Sequence, residues 1–293
     1  MPLPTLHRAA VDGDAEAVAR LLADSADAAA LAAAATDDDL GMTALDFAAL
    51  NGHPSIVRLL LAAAPAPPAR PHASSALHWA ARGGCPTTVR LLLDAAVALA
   101  AAPDDTACLP LHWAARYCHA DAARLLLEAA PKAAALRNLR GQLPLDALLA
   151  STAASMPAGS KQEAAALATA RALLAAPAQS ASALLQSLAL AKGSWLAQQL
   201  YTEVVATHAC HLGDWQLVPM ACPGLAAALP AVLQRSEWEA AQLTRRLPAP
   251  EAARLRVAAL ALNRAQTRTG LPLPQPLVWR ILALTCTSEE GCC

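Results

Sequence analysis

The sequence predicts an all-α chain: a solenoid of four to five helix–turn–helix units in its first half, followed by a helical bundle or cap without repeats. Three observations predict this. The stretch ALHWAARGGCPTTVRLLL, beginning at Ala76, returns as PLHWAARYCHADAARLLL, beginning at Pro110. Hydrophobic residues make up 56% of the 293 residues and aromatic residues only 3%, because much of the apolar content is alanine, which favours helix when it runs with leucine. Helical patterning also persists in the second half after the repetition has stopped.

Aligning the two stretches on Leu77 and Leu111 brings out three more copies, with their leucines at Leu6, Leu45 and Leu145. The steps between these leucines are 39, 32, 34 and 34 residues, a period near 33 with one longer connection after the first unit. Seven residues beyond the leucine stand Gly13, Gly52 and Gly84, with Cys118 in the fourth copy. A glycine there can take the left-handed conformation that ends a short helix and reverses the chain. Further on, Val18, Val57, Val89 and Ala123 precede Leu21, Leu60, Leu92 and Leu126 by three residues, which gives the second helix of each unit one apolar stripe. One such unit cannot bury its own stripe, so each copy must cover its neighbour.

These residues resemble the ankyrin repeat, whose pattern reads roughly G-x-T-P-L-H-x-A-A-x-x-G-H-x-x-x-V-x-x-L-L. The second copy carries it most fully, as Gly41, Thr43, Leu45, Ala48, Ala49, Gly52, His53, Val57, Leu60 and Leu61. The LH pair recurs at Leu6–His7, Leu77–His78 and Leu111–His112. The fifth copy keeps Gly141, Pro144, Leu145 and Asp146 and reaches Leu173–Leu174 only after an insertion at about 151–163, so it is expected to be a degenerate cap. The resemblance covers about residues 1–176, with units starting near Pro4, Gly41, Ala73, Ala107 and Gly141, and a helical domain of unknown type is expected over 178–293. Within that second part, Ser236 and Glu239 have the spacing of a capping box, which places a helix start there.

The end of the chain resembles a SOCS box, the ubiquitin-ligase adaptor motif, in Leu262, Arg264, Arg268, Leu271, Pro272, Leu273, Pro274 and Leu277. Asn263 stands where that family has a cysteine, and only two residues separate Arg268 from Leu271. The same stretch reads more simply as a proline-punctuated turn into a final amphipathic helix.

Composition excludes several classes of function. With 22 basic and 23 acidic residues, no charge excess points to nucleic acid. The apolar runs stop well short of a membrane span, and acids at Asp12, Asp14 and Glu16 interrupt what a signal or transit peptide would need. A place in the cytosol or nucleus is expected, with most of the eight cysteines reduced. The terminal Cys292–Cys293 pair is a form that can be lipidated, although Glu289 and Glu290 beside it would repel an anionic surface.

No phosphate-binding glycine loop and no nucleophile elbow occurs, so neither a cofactor nor an enzymatic activity is expected. His208, Cys210, His211 and Cys222 form one cluster of residue types that ligate metals, in a spacing that fits no zinc signature. His7, His53, His78, His112 and His119 fall on the LH and GH positions of the repeat. There the resemblance implies a structural role, bonding backbone between turns.

The resemblance further implies a protein-binding module, whose concave face is formed by the loop fingers and the ends of the first helices. In this register that face carries Met42, Leu50 and Asn51, then Ser74, Arg82 and Gly83, then Cys108, Arg116 and Tyr117, with Arg140 and Gln142 in the last finger and Arg70 in an earlier one. Arg82, Arg116 and Tyr117 are the expected anchors, since arginine and tyrosine dominate interface hot spots. Two residues after each leucine stand Arg8, Phe47, Trp79 and Trp113, at a position expected to line the core. The partner is expected to be an extended or helical segment of another protein, of acidic character.

Overall fold

The computed structural model describes residues 5–35, 41–64, 75–152, 160–177, 179–191, 194–255 and 257. The chain divides into two compact units, Met1–Gln179 and Ser180–Cys293.

The first unit is a stack of helix pairs. Helices α1 (Thr5–Asp12) and α2 (Ala15–Asp24) form the first pair, followed by a short α3 (Ala28–Ala33) that occupies the longer connection. The second pair is α4 (Ala44–Leu50) and α5 (Pro54–Ala63), the third α6 (Ala76–Gly83) and α7 (Pro86–Ala95). The fourth is α8 (Pro110–Arg116) and α9 (Ala120–Ala129), and the fifth α10 (Pro144–Ser151) and α11 (Lys161–Leu174). The first helices pack in the order α1, α4, α6, α8, α10, and the second helices in the order α2, α5, α7, α9, α11. Among the described residues the sole β pairing is an isolated bridge between Ala35 and Thr43.

Alanine makes this stacking possible. Ala10, Ala48, Ala49, Ala80, Ala81, Ala114 and Ala115 are completely shielded from solvent, because neighbouring inner helices approach so closely that only a methyl fits between them. The outer helices supply the bulk of the core through Val18, Val57, Leu60, Val89, Leu92 and Leu126. Leu21 departs from this stripe and is half-buried, since the first pair has no outer helix before it to cover that side. Proline sits at the first turn of α5, α7, α8 and α10, where the backbone N–H it lacks would have had no partner in the helix. Thr43 and Asp46 cap α4 reciprocally, at 3.3 Å from the Asp46 N–H to Thr43 Oγ1 and 2.7 Å from the Thr43 N–H to Asp46 Oδ2.

The expected insertion is shorter than its sequence limits, because Ser160 caps α11 and the helix already includes Lys161–Leu174. Residues 153–159 lie outside the described set.

The second unit begins with α12 (Ala181–Leu190) and α13 (Trp195–Thr207), then α14 (Leu212–Leu217), a 3-10 turn (Leu225–Ala228), α15 (Leu229–Arg235) and α16 (Glu237–Thr244). Leu184, Leu185, Leu188, Leu200, Val204, Trp215, Leu225, Val232 and Leu243 fill its core. Arg235 ties α13 to α16: its guanidinium donates to the Val205 and Ala206 carbonyls at 2.7 and 3.0 Å and pairs with Glu239 at 2.9 Å. The helix start at Ser236 is as the sequence predicts, with Ser236 Oγ accepting from the Glu239 N–H at 3.3 Å. The reciprocal half of the box is absent, because the Glu239 carboxylate is taken by Arg235 and by the Cys210 N–H.

The helix reversals place Gly13, Gly52 and Gly84 at φ of 81°, 69° and 74°, and Cys118 at 60°. At Gly84 a methyl group would overlap the His119 imidazole, whose Nε2 donates to the Arg82 carbonyl at 3.0 Å. At Gly141, φ is 70° and a methyl group meets nothing within 4 Å among the described residues. The two glycines therefore separate conformation from contact. Gly141→Ala is expected to cost about 1 kcal/mol for the left-handed backbone alone, and Gly84→Ala about 3 kcal/mol because it also displaces a bonded histidine. Urea midpoints of the two variants check this, and equal losses would contradict it.

Candidate protein-binding surface

The loops before α8 and α10 are shaped by one polar side chain each. In the loop before α8, Asp104 Oδ1 accepts from the Thr106 N–H at 2.9 Å, the Thr106 hydroxyl at 2.7 Å and the Cys108 N–H at 2.9 Å. Its second oxygen accepts from Trp113 Nε1 at 3.0 Å. Burial by itself would raise the Asp104 pKa, but the hydrogen bonds from Thr106 and Trp113 outweigh it and hold the carboxyl below its ordinary range. Thirty-four residues later Asn138 does the same with its amide oxygen, accepting from the Arg140 and Gln142 N–H groups at 3.0 Å each. The Leu139 N–H donates to the Thr106 carbonyl at 3.0 Å, so the two fingers are bonded to each other.

Histidines then fix the fingers to the inner helices. His78 Nε2 lies 3.0 Å from the Cys108 carbonyl, and His112 Nε2 lies 3.1 Å from the Gln142 carbonyl. On the other edge of each ring, Nδ1 accepts from the Ser75 N–H at 3.1 Å and from the Leu109 N–H at 3.1 Å. Those acceptors fix the tautomer, with the proton on Nε2 pointing into the next repeat. His7 reaches the Ala34 carbonyl at 3.0 Å in the same manner, while His53 and His119 reach back to the Val11 and Arg82 carbonyls at 3.2 and 3.0 Å. All five repeat histidines thus have the structural role that the resemblance implies.

Between fingers and inner helices lies a cavity of about 330 Å³. Thr106, Cys108, Asn138, Arg140 and Gln142 line it from the fingers, and Trp113, Arg116, Ala147, Ala150 and Ser151 from α8 and α10. Among the described residues neither an aspartate nor a glutamate stands on its wall. Beside it, the Arg82 guanidinium lies over three rings, 5.6 Å from the centre of Trp79, 5.7 Å from Trp113 and 5.5 Å from Tyr117. Tyr117 stacks on Trp113 with centroids 6.2 Å apart and on His119 with centroids 6.3 Å apart. Rings at these distances orient a guanidinium while leaving its N–H groups free to bond.

The structure brings Arg82, Arg116, Tyr117, Arg140 and Gln142 together around this cavity and platform. Leu50 is half-buried and Asn51 exposed, its amide donating to the Phe47 carbonyl at 3.0 Å. Met42 is a correction: it is 4% exposed, a core residue beside Thr43, which the bridge to Ala35 holds against the end of the preceding unit. Phe47, Trp79 and Trp113 are a second correction. They are half-buried rather than core, because alanines already fill the space between the inner helices. Ser74 and Arg70 lie outside the described residues, as do the SOCS-box-like positions Leu262, Arg264, Arg268, Leu271, Pro272, Leu273, Pro274 and Leu277, and Cys292 and Cys293.

In the second unit, His208, Cys210, His211 and Cys222 do not assemble: among the described residues no group of three or more His, Cys, Asp or Glu side chains is placed to hold a metal ion. Burial, with Glu239 and Asp214 nearby, pushes the Cys210 thiol up to about 12, and its sulfur donates to the His208 carbonyl at 3.6 Å. A cavity of about 610 Å³ in this unit is lined by Tyr201, Met220 and Cys222 among others. Burial pushes the Tyr201 phenol up to about 12 and raises the Cys222 thiol, so both stay protonated.

A family model of ankyrin repeats in many copies matches residues 6–61, and a model of three ankyrin repeats matches residues 66–135. Residues 6–135 of the chain are thus ankyrin repeats. Repeats of this family are in general protein–protein interaction modules and typically non-catalytic. Neither match reaches the SOCS-box-like stretch, and no curated protein matches the chain. Among the described residues no helix is long and apolar enough to cross a membrane. The fifth helix pair continues the stack beyond the last matched residue.

The finger histidines make the stack sensitive to acid. Burial lowers the pKa of His78 and His112 below the ordinary 6.5, against the opposing pull of the Cys108 and Gln142 carbonyls and of Asp104. As pH falls below 6.5 the unfolded chain takes up these protons first, so the stability the neutral rings provide is complete above that pH and is lost below it. The melting temperature is expected to fall between pH 7 and pH 5, and to fall less in a His78→Gln, His112→Gln variant. An equal slope in both proteins would contradict the assignment.

Proposed function

We propose that the chain is a non-catalytic interaction module that takes up a segment of a partner protein in the groove between its fingers and its inner helices. One observation carries this reading: an arginine held by three aromatic rings stands beside a cavity with two further arginines and, among the described residues, no acid on its wall. Leu50, Asn51, Ser74, Arg82, Arg116, Tyr117, Arg140 and Gln142 are the contact residues, and Met42 is not among them. A surface already rigid before binding loses little entropy on association, which is how a modest groove reaches useful affinity.

The ligase-adaptor reading, through Leu262 to Leu277, rests on sequence alone. Both readings meet in one experiment, affinity capture from cell extract with the full chain, an Arg82→Glu, Arg116→Glu variant and a truncation after Thr269. The groove reading expects the captured proteins to be lost from the double variant and kept by the truncation. Its melting temperature should drop only slightly, since cation–π contacts at half-exposed sites are worth about 0.5–1 kcal/mol. Capture unchanged by charge reversal would refute the groove, whereas loss of cullin-type components on truncation would favour the adaptor.

A further inference from the structure

The inner helices present one residue each, five positions after the aligned leucine, and these form a file along the groove: Val11, Leu50, Arg82, Arg116 and Ala150. Val11, Leu50 and Arg82 are half-buried, Arg116 and Ala150 exposed. The file reads apolar, apolar, basic, basic, small. Among the described residues no acid pairs with the two central arginines. Asp12 at the first repeat is paired with Arg8 at 3.9 Å. Asp46 is buried in the α4 cap, and Asp104 is filled by Thr106, Cys108 and Trp113. Asp146 accepts from the Leu143 N–H at 2.7 Å and lies 3.9 Å from Arg137. The exposed Asp105 is not on the cavity wall. Arg82 and Arg116 make no ion pair among the described residues, and neither does Arg140.

The spacing of this file is set by helix packing, about 8–10 Å between neighbouring helices. A chain in the polyproline II conformation rises about 3.1 Å per residue with three residues per turn, so residues i and i+3 lie on one face about 9 Å apart. That matches one repeat per turn. A β-strand would put i and i+3 on opposite faces. Half-exposed Trp79, Trp113 and Tyr117 beside the arginines supply the flat apolar surfaces on which polyproline II segments dock.

We infer that the occupant of the groove is an acidic segment in the polyproline II conformation, with two carboxylates three residues apart on Arg82 and Arg116 and apolar residues at the two preceding steps of three on Leu50 and Val11. This rests on the groove being the partner site. Trp79, Trp113 and Tyr117 act as positioning residues, holding the Arg82 guanidinium where the first carboxylate arrives.

The test uses fluorescein-labelled peptides and the full chain, read by fluorescence anisotropy. One probe has Leu, Leu, Glu and Glu at every third position with proline between, made in both chain directions. A second has the glutamates two apart, and a third has glutamine in their place. The inference expects one direction of the first probe to bind, and at least tenfold weaker binding for the other two probes, for an Arg82→Ala, Arg116→Ala variant and at 0.5 M salt. A Trp113→Leu variant should bind the first probe several-fold more weakly, with circular dichroism unchanged. Equal affinity for all three probes, lost on Leu50→Asp, would overturn the charge register and leave the groove standing. Binding indifferent to every one of these substitutions would overturn both. Absence of binding in either direction would overturn the acidic polyproline II occupant, leaving the capture experiment to decide the groove.

Discussion

Three junctions of the stack, first pair to second, third to fourth and fourth to fifth, are each held by an imidazole that donates to a backbone carbonyl across the junction. His78 and His112 do this toward Cys108 and Gln142, His7 toward Ala34, and His53 and His119 in the opposite direction toward Val11 and Arg82. Each such bond contributes about 1 kcal/mol net, while leaving the carbonyl buried without a partner costs about 1–3 kcal/mol. The asymmetry makes the histidines guardians of spacing more than sources of stability. A repeat that slipped along its neighbour would strand both the ring and the carbonyl.

The same bonds connect fold to function. Cys108 and Gln142 lie in the fingers, so the groove wall is held through their carbonyls by His78 and His112, while Asp104 and Asn138 shape the turns between. Trp113 joins the two systems, bonding to Asp104 through its indole nitrogen and facing Arg82 with its ring. The proposed binding surface, assembled from loops, is thereby given the rigidity of a helical core. Alanine contributes from below, since the inner helices approach closely enough to bring Arg82 of one repeat over Trp113 and Tyr117 of the next.

Much of this was legible in the sequence. The aligned leucines, the reversals at Gly13, Gly52 and Gly84 and the LH and GH histidines set the register, and the register places the helix pairs. What it could not give was the depth of a side chain at a fixed position. Met42 and Gln142 occupy the same place in their repeats, yet Met42 is a core residue, beside the Thr43 that the bridge to Ala35 holds against the preceding unit. Trp79 and Trp113 look like core residues by type, and are half-buried because alanine has already filled the interior. Helix α3 escaped notice, since a run of alanines after Asp27 carries no periodic pattern of its own. In the second unit the capping box was read from spacing alone, without sign that Arg235 would claim Glu239.

The central claim is that histidine bonds between repeats hold the groove in shape. Amide hydrogen exchange of the full chain, compared with a His112→Leu variant, tests it most directly. The account predicts that amides of the finger at Asn138–Gln142 and of the first turn of α10 lose protection, while α1 and α4 keep theirs. Protection of that finger at the level of the unaltered chain would show that the histidine bond is incidental and that the groove owes its shape to something else.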